Sequence, residues 1–390
     1  MGALSKTFNR FFESEKSGGY LLVACTVLSL AVSNSPLGPD YLRFWQREAG
    51  GLSLELWVND ALMAVFFLLI GLELERELYV GELSSLDNAL LPIVAALGGM
   101  VAPALIHFAL NAGTPTQDGF GIPMATDIAF ALGVLAVLGN RIPASLRVFV
   151  VAFAVMDDLG AIVVIAAFYT AQISAWYLAG AFAVWLALIA LNRLARVMSV
   201  VPYLLGGALM WFLMLKSGVH ATIAGVLLAF AIPFSARDDD ERSPSHRVEH
   251  FLHKPVAFAI LPIFALANTG VVLHDGWLQG LAGTNGMGIA AGLILGKPLG
   301  VTLLCFLAVA AGVCRLPAEL NWSHVMGAGI LGGIGFTMSI FITNLAFAAD
   351  PGVMNASKLA VLLASVAAGT GGFLWLRFCA GPGVHVDSSK

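Results

Sequence analysis

The chain has 390 residues, 59% of them hydrophobic and only 11% charged, with a mean hydropathy of +0.87 and a formal net charge of −4. Soluble globular domains carry about 25% charged residues, so this composition excludes a water-soluble fold and points to an all-α polytopic membrane protein. Cys25, Cys305, Cys314 and Cys379 show neither metal-ligand spacing nor a paired framework, and neither a cofactor nor a nucleic-acid partner is expected.

Lys6, Arg10 and Lys16 precede the apolar run LLVACTVLSLAVSNS, which has the form of a signal peptide with AVS at its cleavage site. With so many apolar runs behind it, the segment reads instead as an uncleaved first helix. A spanning helix needs about 20 mainly apolar residues to cross about 30 Å. Twelve segments qualify: 18–35, 58–80, 89–111, 120–138, 144–170, 176–195, 203–217, 219–234, 255–274, 286–312, 324–347 and 356–378. None shows the period-2 alternation of a strand. The connections are short except for the hydrophilic segment 235–254, expected as a cytoplasmic loop. No loop could hold a soluble domain, so 1–390 reads as one integral membrane transporter domain in contact with lipid. Of the Lys and Arg residues, only Arg43, Arg47, Lys216 and Lys358 fall at one set of span ends, and Lys297 falls within a span. The rest gather at the opposite ends, which by the positive-inside rule places both termini in the cytoplasm.

Four charges sit where hydrocarbon is expected. Asp157 and Asp158 interrupt VVAFAVMDDLGAIVVIAAF, Asp127 lies in MATDIAFALGV, and Lys297 in LILGKPLGVTLL. At about 1.5 Å per residue, Arg147 and Tyr169 bracket the aspartate pair by roughly 15 Å on either side, near the midplane. Each charge at a helix centre costs about 2.5–3.5 kcal/mol, on the order of 10 kcal/mol together. Buried ion pairs or interhelical hydrogen bonds are the plain alternative for any one of them. Three carboxylates against one ammonium leave an excess that suits a cation. Adjacent helix residues point about 100° apart, so one aspartate can address an ion cavity while the other addresses a partner such as Lys297. A carboxylate that binds both a proton and Na⁺ through the same oxygens makes them compete, which is an exchange mechanism in outline.

Two spans look interrupted. Pro123 and Gly133 flank Thr126 and Asp127 in 120–138, and Gly327, Gly329, Gly332, Gly333 and Gly335 precede Thr337 and Ser339 in 324–347. Broken apolar segments in corresponding halves point to a transporter with inverted-topology repeats; close glycine packing is the alternative for the second segment alone. Two opposed breaks would leave partial charges at the midplane, which Asp127 and Lys297 could offset.

These residues resemble the NhaA-type sodium/proton antiporters. VNDALMAVFFLLIGLELERE, ATDIAFALGVLAVLGNRIP, MDDLGAIVVIA, LKSGVHATIAGV, LGKPLG and GIGFTMSIFI follow that family's order over nearly the whole chain. The resemblance implies a bacterial inner-membrane exchanger, electrogenic at two protons per Na⁺ or Li⁺. It makes Asp157 and Asp158 the ion- and proton-exchanging pair, with Asp158 the principal cation ligand and Asp157 the partner of Lys297 in the proton-loaded state. Thr126 and Asp127 would lie where the two broken helices cross and would join Asp157 and Asp158 as Na⁺ or Li⁺ ligands, with Thr337 and Gly335 nearby. Glu73, Arg76 and Glu77 with Glu249, His250 and His253 would form a pH-responsive face; the alternative is a solvated helix end with ordinary i,i+3 and i,i+4 pairs. Glu75 departs from the lysine expected there, so the pH midpoint is expected to differ. Asp60 and His220 would be secondary polar contacts. The Gly-Gly turn in 43–57 suits the hairpin through which the family forms homodimers.

Readings from other classes fit less well. An intramembrane aspartyl protease needs two proton-sharing carboxylates on different helices, whereas this closest pair is adjacent on one. A cation channel or uniporter would show a repeated filter or acid rings, and neither is present in the sequence.

Overall fold

The computed structural model describes residues 6–170, 173–235, 243–273 and 276–379. Helix α1 spans Lys6–Ser33 and α2 Gly38–Trp45. Strands β1 (Glu48–Ala49) and β2 (Leu52–Ser53) pair antiparallel, Glu48 opposite Ser53 and Ala49 opposite Leu52. Gly50 and Gly51 both have positive φ (63° and 85°), as a tight two-residue hairpin turn requires. Trp57 Nε1 donates to Ala49 O at 2.7 Å and ties the hairpin to the next helix.

That helix is α3, Leu54–Tyr79, followed by α4, Leu86–Asn111. A 3₁₀ segment, Gln117–Met124, then precedes α5, Ile128–Leu138. Next come α6 (Ala144–Phe168), α7 (Ala175–Arg193), α8 (Val201–Ser217) and α9 (Ile223–Ala229). The remainder are α10 (Pro244–Asn268), α11 (Trp277–Ala282), α12 (Thr284–Ala310), α13 (Trp322–Gly332), α14 (Phe336–Ala346) and α15 (Pro351–Phe378). The protein is thus an all-α polytopic membrane protein with one minimal hairpin.

The structure bears out the polytopic helical fold without confirming the count of twelve spans. Among the described residues, eight helices are long and apolar enough to cross a bilayer, or up to ten when each bent pair is one span. The bent pairs are Ser17–Ser33 with Gly38–Trp45, at 119°, and Trp322–Gly332 with Phe336–Ala346, at 46°. The two other expected spans, 203–217 and 219–234, contain the 17-residue α8 and the 7-residue α9. The two helices part where the sequence reading divided them, at a turn in which the Ser217 hydroxyl accepts the Val219 amide at 3.2 Å; both are short of the length that crosses a bilayer.

The hydrophilic segment 235–254 also differs from the loop expected of it. Residues 236–242 lie outside the described residues, and from Pro244 the chain is helical. Ser243 caps that helix by accepting the His246 amide at 3.3 Å, and Pro244 occupies its first turn, where no N–H is needed.

The chain forms two compact units. One comprises Met1–Tyr20, Ser85–Ala161 and Val271–Lys390; the other comprises Leu21–Ser84 and Ile162–Gly270. In the first unit α4 packs along α12. A side-chain carbon at Gly98 would come within 2.6 Å of the Gly300 carbonyl carbon, so the two backbones meet only because both residues are glycine. In the second unit α9 packs on α3 and α7 on α8. Trp176, Leu186, Leu205 and Phe212 of that helix pair are exposed, an apolar surface suited to hydrocarbon rather than water.

Candidate functional site

The first unit contains two breaks in helical structure, bonded to each other. Ala125 and Asp127 have extended backbone between the 3₁₀ segment and α5. Residues Gly333–Gly335 separate α13 from α14. A break exposes backbone groups that water cannot satisfy inside a bilayer, and here several of them find partners across the gap or on a neighbouring helix. The Asp127 amide donates to Ile334 O at 2.6 Å. The Thr126 hydroxyl donates to Gly332 O, at the end of α13, at 2.9 Å. The Ser339 hydroxyl donates to Ile122 O at 2.6 Å, and the Phe336 amide donates to the Ser365 hydroxyl of α15 at 3.1 Å.

Asp127 serves two helix N-termini. Its Oδ1 accepts the Phe130 amide of α5 at 3.2 Å, and its Oδ2 accepts the Thr337 amide of α14 at 3.1 Å and the Thr337 hydroxyl at 2.5 Å. Both N-termini carry partial positive charge, so a carboxylate is favoured between them. Gly335 is the residue from which α14 starts; a side chain there would press on Ser339 Cβ at 3.0 Å and Leu293 Cδ2 at 3.1 Å.

Beside the breaks stands a fully buried ion pair. Lys297 Nζ donates to Asp157 Oδ2 at 2.5 Å and to Thr126 Oγ1 at 2.9 Å, and both charged side chains have 0% exposure. Thr126 therefore links the pair to the end of α13. Lys297 follows a π turn, Gly292–Gly296. Pro298 has no N–H to give the carbonyl of residue 294, and the opened ladder is accommodated as that wider turn, a form common at functional sites. Asp157 Oδ1 is buried with no hydrogen-bond partner among the described residues. Asp158 is likewise buried, and its charge also acts on Lys297. Three carboxylates and one ammonium thus share one desolvated region, with Thr126, Thr337 and Gly335 beside them.

The second unit holds a different ionic cluster, between α3 and α10. Arg76 Nε lies 3.0 Å from Glu249 Oε1, and Arg76 Nη2 lies 3.4 Å from Glu77 Oε1. His253 approaches Glu73 through Nδ1 at 3.6 Å and Glu249 through Nε2 at 3.8 Å. Glu75 is buried and accepts the Ser245 hydroxyl at 3.1 Å. His250 is exposed on α10 and joins none of these ion pairs among the described residues. Two further expected residues lie elsewhere in this unit. His220 Nε2 donates to Tyr169 O at 2.6 Å; burial holds its imidazole below the ordinary range, against the opposing pull of that carbonyl. Asp60 is half-buried in the π turn Trp57–Leu62, and its backbone carbonyl accepts Trp211 Nε1 at 3.2 Å.

Ser365, which accepts the Phe336 amide, carried no signal of its own in the sequence: it is a small hydroxyl residue in a helix rich in small residues.

The sequence matches the family model described as Na+/H+ antiporter 1 over residues 9–376. It is 70% identical to the Na(+)/H(+) antiporter NhaA of Dechloromonas aromatica over 375 residues, 96% of each chain. It is 56% identical to Na(+)/H(+) antiporter NhaA 1 of Flavobacterium johnsoniae, over 96% of this chain and 97% of that one. With the NhaA of Citrobacter koseri the identity is 48%, over 95% and 98% of the two chains.

Proposed function

The chain belongs to the Na+/H+ antiporter 1 family, and we propose that it works as an electrogenic, pH-regulated exchanger taking in two protons for each Na⁺ or Li⁺ expelled. The observation that carries this reading is the buried Lys297–Asp157 pair, 2.5 Å long, with Asp158 as the next residue.

Desolvation penalises every isolated charge here, so the site favours a balanced set of charges. In the proton-loaded state the Lys297 ammonium holds Asp157. An entering Na⁺ takes carboxylate oxygens instead, with Asp158 its principal ligand and Asp157, Asp127 and Thr126 completing the oxygen set. Asp127 meanwhile keeps the two helix N-termini paired. Proton and cation compete for the same oxygens, so loading one expels the other: Asp158 carries one of the two protons, and either Asp157 or Lys297 carries the second. Alternating access then carries either load past the apolar surroundings. Two protons in against one Na⁺ out moves one net positive charge inward, and the membrane potential drives expulsion of Na⁺.

The carboxylate–arginine–histidine cluster of α3 and α10 is the pH-responsive element, since His titrates between pH 5 and 8. The protein lies in the bacterial inner membrane with both termini cytoplasmic, and the β1–β2 hairpin pairs two copies into a homodimer.

Inverted membrane vesicles holding an imposed pH gradient test the reading. Added Na⁺ or Li⁺ collapses the gradient and K⁺ does not. Sodium-independent proton movement alone, across the alkaline range, would refute it.

A further inference from the structure

Away from the charged site, a second buried polar chain ties together three helices of the first unit. His107 of α4 is fully buried, and its Nε2 lies 3.0 Å from Asn285 Oδ1, in the first turn of α12. Asn285 Nδ2 donates to the Ser357 hydroxyl of α15 at 2.7 Å, and that hydroxyl donates to Val353 O at 2.7 Å. With its one hydrogen given to Val353, Ser357 can only accept from the amide. Asn285 Oδ1 therefore faces the imidazole, and His107 Nε2 carries the hydrogen. One turn on, Asn111 Nδ2 donates to Thr284 O at 3.1 Å, and Asn111 Oδ1 accepts the Thr116 hydroxyl at 2.7 Å. Two glycines make room for the ring. A side-chain carbon at Gly119, in the 3₁₀ segment, would meet His107 Cε1 at 3.0 Å, and one at Gly288 would meet Cδ2 at 2.9 Å. The imidazole is thus built into a notch between the segment that leads to Thr126 and the helix that leads to Lys297.

We propose that His107, through Asn285 and Ser357, is a positioning residue for the exchange reaction: it holds α12 where Lys297 reaches Asp157, and so sets how hard Na⁺ must compete for that carboxylate. This rests on the exchange reading above. Lys297 stands twelve residues beyond Asn285, about 18 Å along the helix. Between them α12 meets its neighbours through glycine. Side-chain carbons at Gly292 and Gly296 would come within 2.7 Å of Pro123 Cβ and Pro103 Cα, respectively. Such bare contacts limit approach without fixing the slide or rotation of a helix, whereas hydrogen bonds are directional. The clamp therefore supplies the register. It is made in the arrangement that pairs Lys297 with Asp157, and it stabilises that arrangement over one in which α12 has shifted. The proposed cation ligands, Asp158, Asp157, Asp127 and Thr126, lie on α6 and at the break before α5, none on α12. Loosening α12 weakens the hold of the ammonium and leaves the ligands in place. No proton moves through the clamp, so the two-for-one exchange is unaltered.

The test measures the apparent KM for Na⁺ in inverted vesicles at one fixed pH. Asn285→Leu removes both bonds of the clamp, and His107→Leu removes its donor. Each lowers the KM roughly 2- to 10-fold, the worth of about one hydrogen bond. The double variant stays at the value of Asn285→Leu, because both substitutions break the same chain. His107→Gln, whose amide can still donate from a similar reach, keeps the parent KM. A mere loss of folded protein would lower the maximal rate and leave KM where it was. Ser357→Ala, which deletes a single acceptor, shifts KM in the same direction by a smaller factor. A KM that is unchanged or raised in Ser357→Ala overturns the proposal, whether or not the leucine variants fold. Absence of Na⁺-dependent exchange in the unsubstituted protein would instead overturn the exchange reading itself.

Discussion

The two ionic clusters use the same residue types under opposite conditions. In the first unit, Lys297 and Asp157 are sealed at 0% exposure, in a single 2.5 Å contact. In the second, Arg76 is 25% exposed at its side chain and shares itself between Glu249 and Glu77, while His253 sits 3.6–3.8 Å from Glu73 and Glu249. A sealed pair cannot exchange one partner for water; it can only exchange one for another ion, because an uncompensated buried charge is too costly. A cluster with a wet edge and several carboxylates can take up or release protons gradually, each step buffered by its neighbours. Desolvation therefore separates a site suited to a stoichiometric swap from one suited to a graded response.

The comparison breaks first at Asp158. Asp158→Asn keeps the side-chain volume and removes the charge that would meet the cation, and Na⁺-dependent exchange is expected to fall below detection in inverted vesicles. Normal transport by this variant would remove Asp158 from the cation-binding role.

A second test concerns the pair itself. Lys297→Ala strands Asp157 without its counter-ion, and removing one partner of a buried pair is destabilising by about 3–5 kcal/mol. The detergent-solubilised variant should unfold at a distinctly lower temperature than the parent. Adding Asp157→Asn, which removes the stranded charge, should recover a large part of that loss. A double variant no more stable than Lys297→Ala would show that lost packing, not the stranded charge, sets the cost.

What was legible in the sequence follows the same physics. Asp127, Asp157, Asp158 and Lys297 stand out because a charge inside an apolar run violates the solvent around it. That Lys297, 140 positions away, would partner one of the two aspartates followed from the buried charges themselves, but that the partner is Asp157 came only through family resemblance. The glycines before Thr337 and Ser339 announced the second break, but one of the groups that repair it, the Ser365 hydroxyl, looks like an ordinary small helix residue. The hydrophilic segment before α10 suggested a loop because polarity obscured a helix-start signature, Ser243–Pro244. The count of twelve spans is not confirmed: among the described residues eight to ten helical stretches are long and apolar enough to cross, and the runs 203–217 and 219–234 hold helices of 17 and 7 residues. His250 matched the pH-responsive motif by position, yet it is exposed, whereas Glu249 and His253, one turn apart, share the face that meets α3.

The smallest expected effect is at the wet edge. Among the described residues, Arg76 is the one permanent cation in the α3–α10 network, facing Glu249, Glu77 and Glu73. Arg76→Gln leaves the buried carboxylates proposed for exchange unsubstituted, so the maximal exchange rate at saturating Na⁺ should persist. The stability change should be modest, about 1 kcal/mol, because a partly exposed ion pair with alternative partners contributes little. What moves is the pH response: with its fixed positive charge gone, a more negative cluster retains protons to higher pH, so the onset of exchange should shift toward alkaline pH. Activity profiles of parent and variant, measured at saturating Na⁺ across the same pH series, should differ in position and agree in height. Loss of height without a shift would mean that the network is structural support, and the division between swap and graded response would fail at that point.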